Sequence, residues 1–447
     1  MKLIKPVFVV LLLFVFGLRV FAQAYPDQQF VIRGIEELYE YEDSAENIVY
    51  NSETNSIELE SGFEQGVYIS KPVSFSQKFN RGLPSWNGHA PENQRSSFRV
   101  SMRFKISYGW SDWITVGYWD KYIWSSYGNT TFNGGKVSID YVKLDVYINE
   151  FQFKIEFKRD DAGYESSSVK QFSFFVSDTK TTVFMDINKL VNDKPPAIFI
   201  PTNFVYQYGV DPVIGGRICS PSTLSMIIQS FGYEVDTYDF ALRTNDPYWD
   251  IFGVWPRGVQ SASEYGLRGT VTRYRSWTDA YNVLKNGGRI AITVGPPLFN
   301  AHLMMLAGFD DNGNPIIHNS GRSSGYGITY NKKQISESWF NKGGISYTFY
   351  DENAPLASKD IHQVKEKKLI IYPNPVEDKI NIEFDTETGS NLKAIIFNTL
   401  GQQVYTGDFH QTNGFIQIDI NNLIPSGTYI LNLLSEKEKI SKLFIKK

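Results

Sequence analysis

The spacing of apolar residues changes twice along this 447-residue chain, and those changes limit its fold more than any other feature. Phe151, Phe153, Ile155 and Phe157 alternate with Gln152, Lys154, Glu156 and Lys158, the period of a strand with one buried face. Arg99 to Ile106, Tyr118 to Trp124 and Phe172 to Val176 repeat the pattern more loosely. Asp140 to Ile148 leads into Phe151 through an expected turn at Asn149-Glu150. No helix of useful length interrupts these runs. An antiparallel β-sandwich over residues 25–187 is the expected outcome.

Pro195-Pro196 and Pro201 mark residues 188–204 as a linker, and beyond it the period lengthens. Leu224, Ile227, Ile228 and Phe231 recur at helical spacing, with Ser220 and Pro221 as start signals and Gly232 as the stop. Arg257 to Tyr265 reads as a second helix, and Ser276 with Asp279 caps a third. Arg268 to Tyr274, Arg289 to Val294, His302 to Phe309 and Pro315 to Asn319 read as strands, so residues 205–350 form an α+β domain. Residues 351–368 are a polar second linker. From 369 to 447 the period returns to two, in short strands that suit a second, small β-sandwich. The fold class is therefore multidomain and β-rich.

Lys2 and Lys5 ahead of the short apolar run Val7 to Leu18 mark residues 1–24 as a secretory signal peptide. That run is too short to span a bilayer. A net charge of −4 without a basic stripe argues against nucleic acid. No metal-ligand cluster or phosphate-binding loop occurs, and no cofactor is called for. Asp310 to Asn314 resembles a calcium loop but lacks the distal Glu, so a plain turn is the reading.

Export gives weight to Cys219, the only cysteine. A lone thiol cannot form an internal disulfide, and in an oxidising compartment it is an oxidation risk. At a helix N-terminus it meets unpaired N–H groups and the helix dipole, which favour a thiolate. A buried structural cysteine is the rival reading. A thiolate nucleophile needs a base and a group to orient that base. His302 opens a strand, Asn319 ends the next, and Asp310 to Asn314 turns between them. A strict turn on Asn312-Gly313 pairs His302 a few residues past Asn319, whereas a looser turn or a bulge brings the two level. His318 is the other histidine here, but strand neighbours face opposite ways, so only one of His318 and Asn319 can face the thiol.

Cys219 to Met226, Trp255-Pro256, Tyr265-Gly266, His302 to Gly308 and Ile316 to Asn319, in that order, resemble bacterial cysteine peptidases related to the bacteriocin leader peptidases. The resemblance covers roughly Val205 to Tyr350. It implies a papain-like fold with Cys219 as nucleophile, His302 as general base and Asn319 as orienter, acting on a peptide or protein substrate. Ala301-His302 departs from the family's usual Gly-His, and Asn319-Ser320 from its usual Asp-Pro. Family members carry a Gln before the Cys. Gln207 matches it, either as an oxyanion donor or as an ordinary surface residue.

Pro84 to Asn87, Ser111 to Trp113 and Gly117 to Trp119 resemble the sandwich found ahead of such exported peptidases. Its Trp86, Trp110, Trp113, Trp119 and Trp124 either fill the core or stack on a glycan. Ile371 to Pro375, Asn398 to Gln402, Gly427 to Tyr429 and Lys442 to Ile445 resemble the C-terminal sorting domain of type IX secretion cargo in the Bacteroidetes. That implies engagement of the secretion machinery through residues 369–447 and delivery outside the cell or to its surface. The expected function is an exported cysteine hydrolase of the peptidase kind, working through a Cys-His-Asn triad and an acyl-enzyme. The alternative is a non-catalytic surface-binding protein that uses the sandwich and keeps the middle domain as a degenerate scaffold.

Overall fold

The protein is described here from a computed structural model. It covers residues 27–91, 95–119, 130–179, 186–353, 370–383, 391–398, 402–410, 415–421, 423–434 and 439–447. The signal peptide, Trp124 with the end of its strand, the second linker beyond residue 353 and Thr399 to Gly401 lie outside the described residues. The chain divides into two compact units, residues 1–358 and 359–447. It is β-rich throughout, with several sheets.

The N-terminal sandwich rests on a few long strands. Val73–His89 pairs with Tyr141–Arg159 on one side and Ser168–Ser177 on the other. Beyond Phe151, Gln65–Ser70 follows Val73–His89 along one edge of Tyr141–Arg159, while Ser96–Ile106 pairs along the opposite edge. The turn expected at Asn149-Glu150 is therefore absent. One strand runs through, and register shifts on either side of Ile148 absorb its uneven alternation. Phe151, Phe153, Ile155 and Phe157 are buried as the alternation requires, with Phe153 stacked on Phe172 at 3.9 Å. One short helix, Gly34–Glu40, departs from the all-strand expectation.

Trp86 and Trp119 are fully buried in or beside this core. Trp110 and Trp113 are half-buried and already covered by cations: the Arg103 guanidinium lies 5.0 and 4.7 Å from their ring centres, and Lys154 lies 5.3 Å from Trp113. These rings do not support a glycan platform.

The α+β half of the same unit is built on a seven-stranded sheet. Leu267–Arg273, Ile345–Asp351, Arg289–Val294, His302–Phe309, Pro315–His318 and Ile328–Thr329 lie side by side, and Ile198–Phe199 adds to His302–Phe309. Residues 188–204 are thus partly structured: Ile187–Asn192 is helical and Ile198–Phe199 is a strand. The helix Cys219–Ser230 packs on the sheet through Leu224, Ile227 and Ile228, all fully buried. Trp255–Ser263 and Trp277–Lys285 form near the expected positions, the latter capped by the Ser276 hydroxyl on the Asp279 N–H. Two further helices, Thr237–Thr244 and Lys332–Phe340, are additions to the sequence reading.

The sandwich closes one edge of this sheet. The Asn87 side chain bonds both backbone groups of Gly269, at 2.8 and 2.9 Å, and Gln171 reaches the same carbonyl at 2.8 Å. Ser85 accepts from the Val271 N–H at 3.2 Å. Side chains from one half thus occupy backbone groups that an edge strand leaves open. The second unit is a small two-sheet sandwich of three and four strands around Ile380, Ile382, Ile396, Leu431 and Phe444.

Candidate active site

Cys219 opens its helix, with Ile218 at the cap position and no side-chain cap. Ser220, the expected cap, is buried inside the first turn. That turn is fastened to the strand beginning at His302, because the Thr223 hydroxyl donates to the Leu303 carbonyl at 3.0 Å. The Leu303 N–H in turn serves the Cys219 thiol. Burial pushes that thiol's pKa up, and the N–H groups of Leu303, Ser220 and Cys219 offset this only in part. The net direction opposes the expectation from the helix start alone. Desolvation outweighs the N–H groups there, so the resting group is a thiol.

His302 and Asn319 meet. The His302 Nε2 lies 2.8 Å from the Asn319 Oδ1. The register carries a bulge between Leu306 and Gly308, but it does not bring the two residues level. Met305 pairs with His318, so continuing the ladder sets His302 opposite Gly321, and the contact with Asn319 is diagonal. Gly321 makes room for it: a Cβ there would sit 3.2 Å from both the His302 Nε2 and the Asn319 Oδ1.

The surrounding bonds fix the proton on His302. The Gly321 backbone N–H, which can only donate, points at the Asn319 Oδ1 at 2.9 Å. The Asn319 Nδ2 donates to the Tyr330 hydroxyl at 2.7 Å. The oxygen of Asn319 therefore faces His302, so Nε2 carries the hydrogen and Nδ1 keeps its lone pair. The Phe299 ring lies 5.1 Å from the imidazole. Burial lowers the His302 pKa, and the Asn319 bond offsets part of that shift, so the ring is neutral at neutral pH.

Gln207 is not an ordinary surface residue. It is 3 % exposed, its N–H donates to the Ser320 carbonyl at 2.9 Å, and its Oε1 accepts from the Ser320 hydroxyl at 3.1 Å. Its Nε2 donates to Gly215 at 2.8 Å, which ties the loop after Asn319 to the turn leading into Cys219. One of its two amide hydrogens serves Gly215, and the other is available for a second acceptor. His318 is spent elsewhere. Its Nε2 bonds the Ile200 carbonyl at 3.0 Å, its Nδ1 accepts from Gly327 at 3.0 Å, and Tyr326 stacks on the ring at 4.4 Å. Asp310 braces its turn by accepting from the Asn312 and Asn314 N–H groups.

Phe299, Gly321 and Tyr330 escaped the sequence reading, since nothing in their spacing sets them apart. Asp140 escaped as well. It belongs to the sandwich, yet its Oδ2 accepts from the Trp255 N–H at 2.6 Å and so caps the helix Trp255–Ser263, whose own cap residue Val254 offers nothing. Burial raises its carboxyl to about 7; the Trp255 bond acts the other way and nearby Asp246 adds to the rise.

Residues 31–177 match the Peptidase C39 N-terminal domain, residues 175–347 the Peptidase_C39 like family, and residues 370–447 the secretion system C-terminal sorting domain. No curated protein matches the chain. Among solved structures, PorZ, a surface component of the Porphyromonas gingivalis type IX secretion system, is 12 % identical over 33 % of this chain, with a TM-score of 0.17. A biofilm-associated protein BSP domain is 9 % identical over 91 % of it, also at 0.17. Latent PorU from P. gingivalis is 10 % identical over 86 % of it, at 0.16. The chain spans 21 %, 52 % and 31 % of those three, and likeness at this level carries no argument about fold. The three family matches follow one another along the chain and support an exported, peptidase-like protein that leaves the cell by type IX secretion.

Proposed function

We propose that the protein is a cysteine peptidase with a papain-like catalytic domain, in which Cys219, His302 and Asn319 act as nucleophile, base and orienter. The observation that carries this reading is the Asn319 amide, held by Gly321 and Tyr330 so that its oxygen faces the His302 Nε2. An orienter fixed in that way leaves Nδ1 as the proton acceptor. On attack, the Cys219 proton passes to Nδ1 while the sulfur bonds to the scissile carbonyl carbon. The oxyanion takes the free Gln207 amide hydrogen and the Cys219 backbone N–H. The imidazolium then protonates the leaving amine as the C–N bond breaks. Water, deprotonated by His302, hydrolyses the thioester and restores the thiol. The domain limits follow the sequence reading: a signal peptide to residue 24, the sandwich to 187, the catalytic domain from 205 to 350 and the sorting domain from 369.

The buried resting thiol favours a second reading, a non-catalytic scaffold whose sandwich does the binding. A thiol-directed active-site probe separates the two. Rapid labelling of Cys219 that disappears in His302→Ala, with hydrolysis of a peptide library abolished in Cys219→Ala, is the expected result. Hydrolysis that persists in Cys219→Ala would sink the peptidase reading.

A further inference from the structure

A cavity of about 660 Å³ opens between the sandwich and the sheet, lined by Leu83 and Tyr141 from one side and by Trp255, Arg273, Lys342 and Ile345 from the other. No acidic side chain is among its described lining residues. Arg273 is 3 % exposed, and neither its Nε nor its Nη1 has a hydrogen-bond partner. The nearest carboxylate, Asp27, stands 3.7 Å from Nη1 and is already held by Arg275 at 2.7 and 2.9 Å. Nε and Nη1 are both shielded from solvent, and a hydrogen bond with Tyr141 holds the group. Arg273 and Arg275 share the single Asp27 carboxylate, which leaves one positive charge uncompensated beside the cavity and calls for an anion from outside. Lys342 adds a second, solvent-facing cation. Gly343 beside it has a φ of 96°, and a Cβ there would stand 3.4 Å from the Arg273 Nη2, so glycine lets this turn lie against the guanidinium.

The cavity lies at the His302 end of the sheet. Arg273 pairs with Ile345, Ile292 with Ser346 and Val294 with His302, which sets Arg273 three strands from His302. At the usual strand spacing that is about 14 Å, the reach of roughly four extended residues. We propose that this crevice is a subsite for a carboxylate of the substrate, received by Arg273 and Lys342 about four residues from the scissile bond. The proposal rests on the peptidase reading for its substrate, though not for its binding chemistry. The carboxylate is either an acidic side chain or the free C-terminus of the substrate.

Thermal unfolding of the full chain tests it, with three small probes. These are N-acetylglutamate α-amide for a side-chain carboxylate, N-acetylalanine for a terminal one and N-acetylglutamine amide as the neutral control. The expected result is a rise in Tm of about 2 °C or more at saturating acid with one of the two acids and none with the control. Which acid acts identifies the source. Arg273→Gln and, should that variant fold poorly, the exposed Lys342→Gln are expected to remove or at least halve the shift. No shift beyond the control, or a shift untouched by both substitutions, overturns the subsite. A chain that binds the acid yet hydrolyses no peptide instead counts against the peptidase reading and leaves the subsite standing.

Discussion

Because a backbone N–H can only donate, Gly321 settles at the residue scale how His302 is protonated. Replacing Asn319 with Ala removes the acceptor of the His302 Nε2 hydrogen and leaves the ring free to turn. A hydrogen bond to a group that becomes charged is worth about 1.5–3 kcal/mol, so kcat/KM should fall by roughly 10- to 150-fold while thiol labelling persists at a reduced rate. Steady-state kinetics on a cleavable peptide checks this. Asp140 gives a second residue-scale expectation. Its folded pKa of about 7 stands above the ordinary 3.8. A raised carboxyl contributes stability that is fully present below about pH 4 and is lost as pH rises through about 7. Asp140→Asn keeps an acceptor for the Trp255 N–H but cannot ionise. Urea midpoints measured from pH 4 to 8 should therefore decline less steeply with pH in the variant than in the parent. Equal slopes would refute the assignment.

At the scale of elements, the hairpin His302–Phe309 and Pro315–His318 does the positioning, and its bulge is pinned from outside. Gly308 has a φ of 148°, and a Cβ there would fall 1.8 Å from the Ile198 carbonyl oxygen. Gly308→Ala should force Ile198–Phe199 off the strand and cost about 1–3 kcal/mol, read as a drop in denaturant midpoint. A midpoint unchanged within error would show that the short strand is dispensable. The limits of His302–Phe309 are legible in the sequence because an apolar run meets a charged turn at Asp310-Asp311. Ile345–Asp351 is not, although it lies inside the sheet. Its Ser346 and Thr348 look solvent-facing but bond the Trp339 Nε1 at 3.1 Å and the Tyr274 hydroxyl at 2.6 Å. Polar residues buried against distant partners imitate a surface strand when read locally.

For the whole molecule, the sandwich is structurally part of the same unit as the α+β half. Asn87, Gln171 and Ser85 satisfy the edge of Leu267–Arg273, and Asp140 caps the helix at Trp255. The Trp119 indole donates to Glu264 at 2.8 Å, and the same carboxylate pairs with Arg243 at 3.0 Å. Deleting residues 27–178 should leave that edge open and yield aggregated or inactive protein. Deleting residues 359–447, a unit with its own core, should leave the Tm of the remainder within about 2 °C. A soluble, active chain without the sandwich would contradict the first expectation, and a large loss of Tm without the tail the second.

The order of parts was written locally. Period-two runs, a short helical stretch and the motifs around Cys219, His302 and Asn319 are properties of neighbouring residues, and so are the signatures of the sorting tail. The state of the site was not. Whether the thiol's pKa rises or falls depends on burial beneath a strand more than 80 residues away, near Leu303. The Asn319 amide is oriented by Tyr330 and Gly321, and the helix beside the site is capped by a carboxylate from the other half of the unit. Desolvation and hydrogen-bond partners are set by which distant groups arrive at a place, and packing alone brings them there.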